Sequence, residues 1–185
     1  MMSQEKKSFL FDPKFLIGLF LSLLIRLIPF RAPNVEPILA TAMPFGKYFG
    51  PLASFSFAVL SILIYDLATN TLAVHTFFTA SSYGLIGFWA GHYFKQKEGR
   101  PLEYVRFAIY STLVFDALTG LTTGPLFYNQ SFLSALSGQI PFTILHLLGN
   151  ITLAFILSPA IYKMLYKKKK KENLSSIKIL NPKTI

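Results

Sequence analysis

Cysteine is absent from the 185 residues, which excludes disulfides, thiolate metal sites and cysteine nucleophiles and leaves the redox compartment undetermined. Charge is scarce too. With 14% charged residues against 52% hydrophobic ones, the chain has too little polar surface to clothe an ordinary soluble domain. Acidic residues are rarer still, eight against eighteen lysines and arginines, so the formal charge is +10. That excess does not mark a nucleic-acid partner. Eight of the lysines fall between residues 163 and 183, beside an apolar run, where a polybasic segment reads as a membrane topology signal. No phosphate-cradling glycine loop and no HExxH pair occurs, so neither a nucleotide-driven motor nor a zinc hydrolase is written in the chain. What is abundant is phenylalanine, 19 residues, with 9 tyrosines. Together with a mean hydropathy of +0.48, these features predict an all-α integral membrane protein.

Six apolar runs are legible: Lys14 to Pro29, Val35 to Phe49, Pro51 to Leu67, His75 to Phe94, Leu102 to Leu121 and Phe142 to Tyr166. A span needs about 20 apolar residues. The second run is shorter and holds Pro44, Gly46 and Lys47, so a five-span arrangement is open in which it re-enters or lies at the interface. The first run ends in Arg26, Pro29, Phe30 and Arg31 rather than in a small-residue cleavage site, and reads as a retained helix.

Lysine and arginine concentrate in loops that stay in the cytoplasm. Six spans with both termini inside put sixteen of the eighteen basic residues there and leave the loops Thr69 to Val74 and Gly120 to Ser131 outside, without any. Only Arg26 and Arg31 break the rule. The chain divides accordingly into a cytoplasmic segment 1–13, a six-helix membrane domain 14–166 and a basic cytoplasmic tail 167–185, the last without apolar period and read as a solvated end. A multi-pass protein of the plasma membrane is the implied location.

Ionisable groups at membrane depth are costly and face the bundle interior. Asp66 and Asp116 end the third and fifth runs in matching strings, Ser61-Ile-Leu-Ile-Tyr-Asp66 and Ser111-Thr-Leu-Val-Phe-Asp116, 50 positions apart. Such repeats are a transporter habit. In the sixth run Gln139, Thr143, His146 and Asn150 share one helical face, as cavity lining or as bonds between helices. His75, Thr79 and Ser82 share a face of the fourth, while Ala80, Gly84, Gly87 and Gly91 make a small-residue stripe for close packing. The first outer loop holds Arg31, Pro33, Asn34, Glu36 and Pro37, with Arg26 just before it. Asn34 suits a helix cap, and the two arginines suit either an internal ion pair or an anionic group. The candidate solute-binding set is therefore Arg26, Arg31, Asn34, Glu36, Asp66, Asn70, His75, Thr79, Asp116, His146 and Asn150. No catalytic residue, metal ligand or cofactor site is expected.

Six short spans, the small pair Gly18 and Ser22 four residues apart in the first, the Pro-Asn-Val-Glu-Pro loop at 33–37 and the Asp-ended spans together resemble the substrate-binding S component of an energy-coupling-factor transporter. The resemblance covers about residues 14 to 166. It implies a six-helix bundle with a vitamin or micronutrient pocket near the outer face, and a transmembrane coupling subunit driven by two ATPase subunits. Gly18 and Ser22 would stand at the family's docking position, where alanines are usual. Two other classes compete. An intramembrane aspartyl protease would use Asp66 and Asp116, but its Gly-x-Gly-Asp signature is missing. A membrane scaffold would recruit partners through the basic tail. Solute binding separates the first class from the last, and peptide cleavage would mark the protease.

Overall fold

The computed structural model describes residues 8–29 and 34–180, the last fourteen as backbone. Among the described residues the fold is all-helical: α1 (Pro13–Arg26), α2 (Pro37–Phe49), α3 (Pro51–Ala68), α4 (Val74–Tyr93), α5 (Pro101–Gly120), the single-turn α6 (Thr123–Phe127) and α7 (Phe132–Leu180), with 3-10 turns at Phe9–Phe11 and Phe94–Gln96. Four of these helices open on proline, whose fixed φ suits the first turn and whose missing N–H is not needed there. The Asp12 side chain caps α1 by accepting from Lys14 N at 2.8 Å. Gly50, at φ 101°, lets α2 turn into α3 with one residue between them.

Two of the helices are long and apolar enough to cross a membrane, Pro51–Ala68 and the Phe132–Tyr166 part of α7. The other four runs expected as spans do not reach that measure. Helices α1 and α2 have 14 and 13 residues, α4 is diluted by glycine, serine, threonine and tyrosine, and α5 carries the charged residues Glu103, Arg106 and Asp116. The sixth run begins earlier than expected, at Phe132, because α7 carries Pro141 inside the helix rather than starting after it. Its backbone also stays helical through the lysine run to Leu180, in keeping with the good helix propensity of lysine.

The short second run is the centre of the bundle. All ten residues from Pro37 to Gly46 are buried, and α1, α3, α4 and α7 pack around them. A helix apolar on every side belongs inside other helices, and at ~1.5 Å per residue α2 is only about 20 Å long. Pro44 has no N–H to give to Ala40 O, and Ser158 Oγ of α7 donates to that carbonyl instead, at 2.8 Å. Ser54 Oγ of α3 likewise donates to Ala42 O at 2.8 Å. The small-residue stripe of α4 meets α3 backbone to backbone. A Cβ on Gly87 would lie 2.6 Å from Ser54 O, and one on Gly91 would strike Pro51 Cα.

Packing differs between the two ends. Around α1, α2 and α3, at the end where the chain carries its lysines, Phe15, Phe45, Phe49 and Phe57 interlock with ring centroids 4.9 to 6.1 Å apart. Polar side chains collect at the opposite end. Large apolar residues meanwhile cover the outside of the bundle, among them Ile17, Phe20 and Leu21 of α1, Phe77 and Leu85 of α4, and Ile144, Leu148 and Ile156 of α7. So many exposed apolar side chains mark a surface that meets something other than water.

Candidate functional site

At the end of the bundle that carries the lysine-free loops, a cavity of about 200 Å³ opens between α1, α2, α3, α4, α5 and α7. Arg26 reaches it from the last turn of α1, Asn34 and Glu36 from the approach to α2, Thr79 and Tyr83 from α4, Phe115 and Thr119 from α5, and Phe142 and His146 from α7. Helices α4, α5 and α7 each contribute two side chains because residues one turn apart share a face. Thr79 and Tyr83 are four apart on α4, as are Phe115 and Thr119 on α5 and Phe142 and His146 on α7.

Arg26 is 6% exposed: Nη1 donates to Ser61 O at 2.7 Å, Nη2 lies 3.6 Å from Glu36 Oε1, and the guanidinium sits 3.9 Å over the Tyr65 ring, while Nε is buried without a hydrogen-bond partner. A buried charge survives only when compensated in this way. The Tyr83 hydroxyl stands between Glu36 Oε2, at 3.4 Å, and His146 Nε2, at 3.5 Å, both long contacts for one phenolic proton. Its ring lies against Phe115 with centroids 4.1 Å apart. Behind the wall, His146 Nδ1 meets Asp116 Oδ1 at 2.7 Å. A carboxylate only accepts, so Nδ1 carries the proton and, in the neutral ring, Nε2 is an acceptor towards the cavity. Asp116 is 2% exposed, and its Oδ2 has no partner.

Of the candidate residues, Arg26, Asn34, Glu36, Thr79 and His146 line this one cavity, with Asp116 holding His146 from the rear. The remaining candidates lie elsewhere. Asp66 accepts from Thr76 Oγ1 at 2.7 Å and ties α3 to the start of α4. Asn70 occupies a left-handed turn at φ 55° and is exposed, as is His75. Asn150 donates to Thr112 Oγ1 at 2.9 Å, one turn below the His146 contact, and joins α7 to α5. The polar stripe of α7 therefore divides, His146 facing the cavity and Asn150 bonding between helices. Arg31 lies outside the described residues. Asn34 does not cap α2, whose cap position is Glu36; at φ 63° it presses its carbonyl against α7 at Gly149, where a Cβ would come within 2.7 Å.

Ile62, Tyr83, Phe115, Thr119 and Phe142 also line the pocket and were not among the expected site residues. Tyr83 and Phe115 were readable in principle, since Tyr83 follows Thr79 by one helical turn and Phe115 precedes Asp116. Gly18 and Ser22 face inwards. A Cβ on Gly18 would strike the Phe45 ring, and both residues line a second, apolar cavity of about 340 Å³ between α1, α2 and the lower half of α7. Among the described residues no three His, Asp or Glu side chains gather as metal ligands would.

Comparison with protein-family models, curated proteins and solved structures finds no significant match.

Proposed function

We propose that this chain is a solute-binding membrane subunit of the S-component type, in which six helices cross the plasma membrane with both termini in the cytoplasm. It binds a vitamin or other small nutrient on the outer side and passes it on with a transmembrane coupling subunit and two ATPase subunits. On this reading it is a binding subunit, not an enzyme, and needs no cofactor. One observation carries the reading: polar side chains from α1, α4, α5 and α7 converge on a cavity at the end of the bundle where the loops Thr69 to Val74 and Gly120 to Ser131 lack lysine and arginine. The apolar outer surface of α1, α4, α5 and α7 supports the membrane setting, including helices too short or too dilute to qualify by length and composition. Docking of the coupling subunit at Gly18 and Ser22 rests on the resemblance alone, since both residues face inwards, Gly18 against the Phe45 ring and Ser22 buried.

The test is to purify the chain from membranes and look for a co-purifying small molecule or a ligand-dependent thermal shift. Arg26→Ala and His146→Ala should abolish such binding. An unshifted melt with every candidate nutrient, and no co-purifying molecule, would remove the reading.

A further inference from the structure

The polar inventory of the cavity is short of unspent positive charge. Arg26 is the one cation among the described lining residues, and its two terminal nitrogens are taken by Ser61 O and Glu36 over the Tyr65 ring, leaving only a buried Nε without a partner. Thr119 Oγ1 gives its only proton to Phe115 O at 2.8 Å, so towards the cavity it can only accept. His146 gives its Nδ1 proton to Asp116 and, in the neutral ring, presents Nε2 as a second acceptor. Asp116 adds negative charge directly behind that ring, with Oδ2 buried and unpartnered. Against these stand the Asn34 amide and the hydroxyls of Thr79 and Tyr83, neutral donors all.

We infer, building on the solute-binding reading above, that the cavity takes a single-ring nitrogenous solute that offers N–H donors and carries no negative charge. Size sets the ring count, since a cavity of ~150 Å³ accommodates a benzene-sized ring, and this one measures about 200 Å³. Tyr83, Phe115 and Phe142 supply aromatic walls for a flat molecule, and their π faces favour a cationic or electron-poor ring. A carboxylate or phosphate would find no free terminal guanidinium nitrogen or ammonium among the described lining residues. It would sit instead beside the buried Asp116, where low dielectric magnifies repulsion. An amidinium or ring N–H placed between His146 Nε2 and Thr119 Oγ1 would meet two acceptors, the first of which has only a long 3.5 Å contact with the Tyr83 hydroxyl.

The experiment uses three isosteric probes on the purified full chain: benzamidine, benzamide and benzoate, which share a ring and differ in charge. Binding is followed by calorimetry and thermal shift. Benzamidine should bind at least about tenfold more tightly than benzoate, with benzamide between them. Asp116→Asn should bring benzamidine and benzoate to within about threefold of each other. Should that variant not fold, the trio on the unaltered chain decides alone. Benzoate binding as well as or better than benzamidine overturns the inference, as does a preference untouched in folded Asp116→Asn. If none of the three binds while another molecule co-purifies, this solute class is wrong and the binding subunit stands. If none binds and nothing co-purifies, both fall.

Discussion

His146 on α7 and Asp116 on α5 meet through a 2.7 Å Nδ1–Oδ1 contact with both side chains 3% exposed. This contact fixes which ring nitrogen faces the cavity and joins the two helices at the depth of the pocket. The matching aspartate, Asp66, makes a 2.7 Å contact to Thr76 of α4. Each half of the internal echo thus ends on a carboxylate that holds a following helix, but only one of the two stands behind the cavity.

Removing His146 should therefore damage the fold as well as the site. His146→Ala leaves Asp116 buried without its partner and should cost about 3–5 kcal/mol. His146→Gln, which keeps an amide donor in reach, should restore most of that stability without restoring binding. Denaturant or thermal melts in detergent measure the first effect, and ligand titration measures the second. Equal melts for the Ala variant and the parent chain would show that the contact contributes nothing.

Ser158 compensates for Pro44 from a distance of 118 residues to Ala40. Ser158→Ala should leave Ala40 O unsatisfied inside the bundle and cost about 1–3 kcal/mol. Restoring an N–H with Pro44→Ala in the same chain should recover much of the loss, because the helix then bonds Ala40 O itself. A double-mutant cycle on melting curves reads the coupling.

Glycines with different surroundings should respond with opposite signs. Gly91→Ala would push a methyl into Pro51 backbone and should destabilise by about 1–3 kcal/mol. At Gly138, in the interior of α7, a Cβ meets nothing within 4 Å, and Gly138→Ala should stabilise by about 0.5–1 kcal/mol. Melting temperatures of the two variants provide the check.

The absence of cysteine makes topology directly measurable. With both termini inside, Thr71→Cys and Asn129→Cys should react with an impermeant maleimide in intact cells, whereas Glu98→Cys should react only after permeabilisation. Labelling of Glu98→Cys in intact cells would invert or reduce the six-span arrangement.

Much of the helix layout was legible because helical periodicity is a local property. Prolines at 13, 37, 51 and 101 start helices where the runs start, and the α4 stripe of small residues reads as a packing face before any partner is known. The boundary of α7 was not, since Pro141 looks like a start to local rules and is carried inside the helix by its surroundings.

By itself the sequence determined that apolar helices would form, that basic residues would gather at one end and that His146 and Asn150 would share a face. Only tertiary structure decided that the short second run would become the buried axis, and that His146 would face a cavity while Asn150 bonds Thr112. It also decided that Arg26 would find Glu36 and Tyr65. The reason is physical: periodicity says which side chains leave a helix together. What they meet depends on which other helices pack there, and that is settled by burial and by satisfying buried polar groups across many tens of residues.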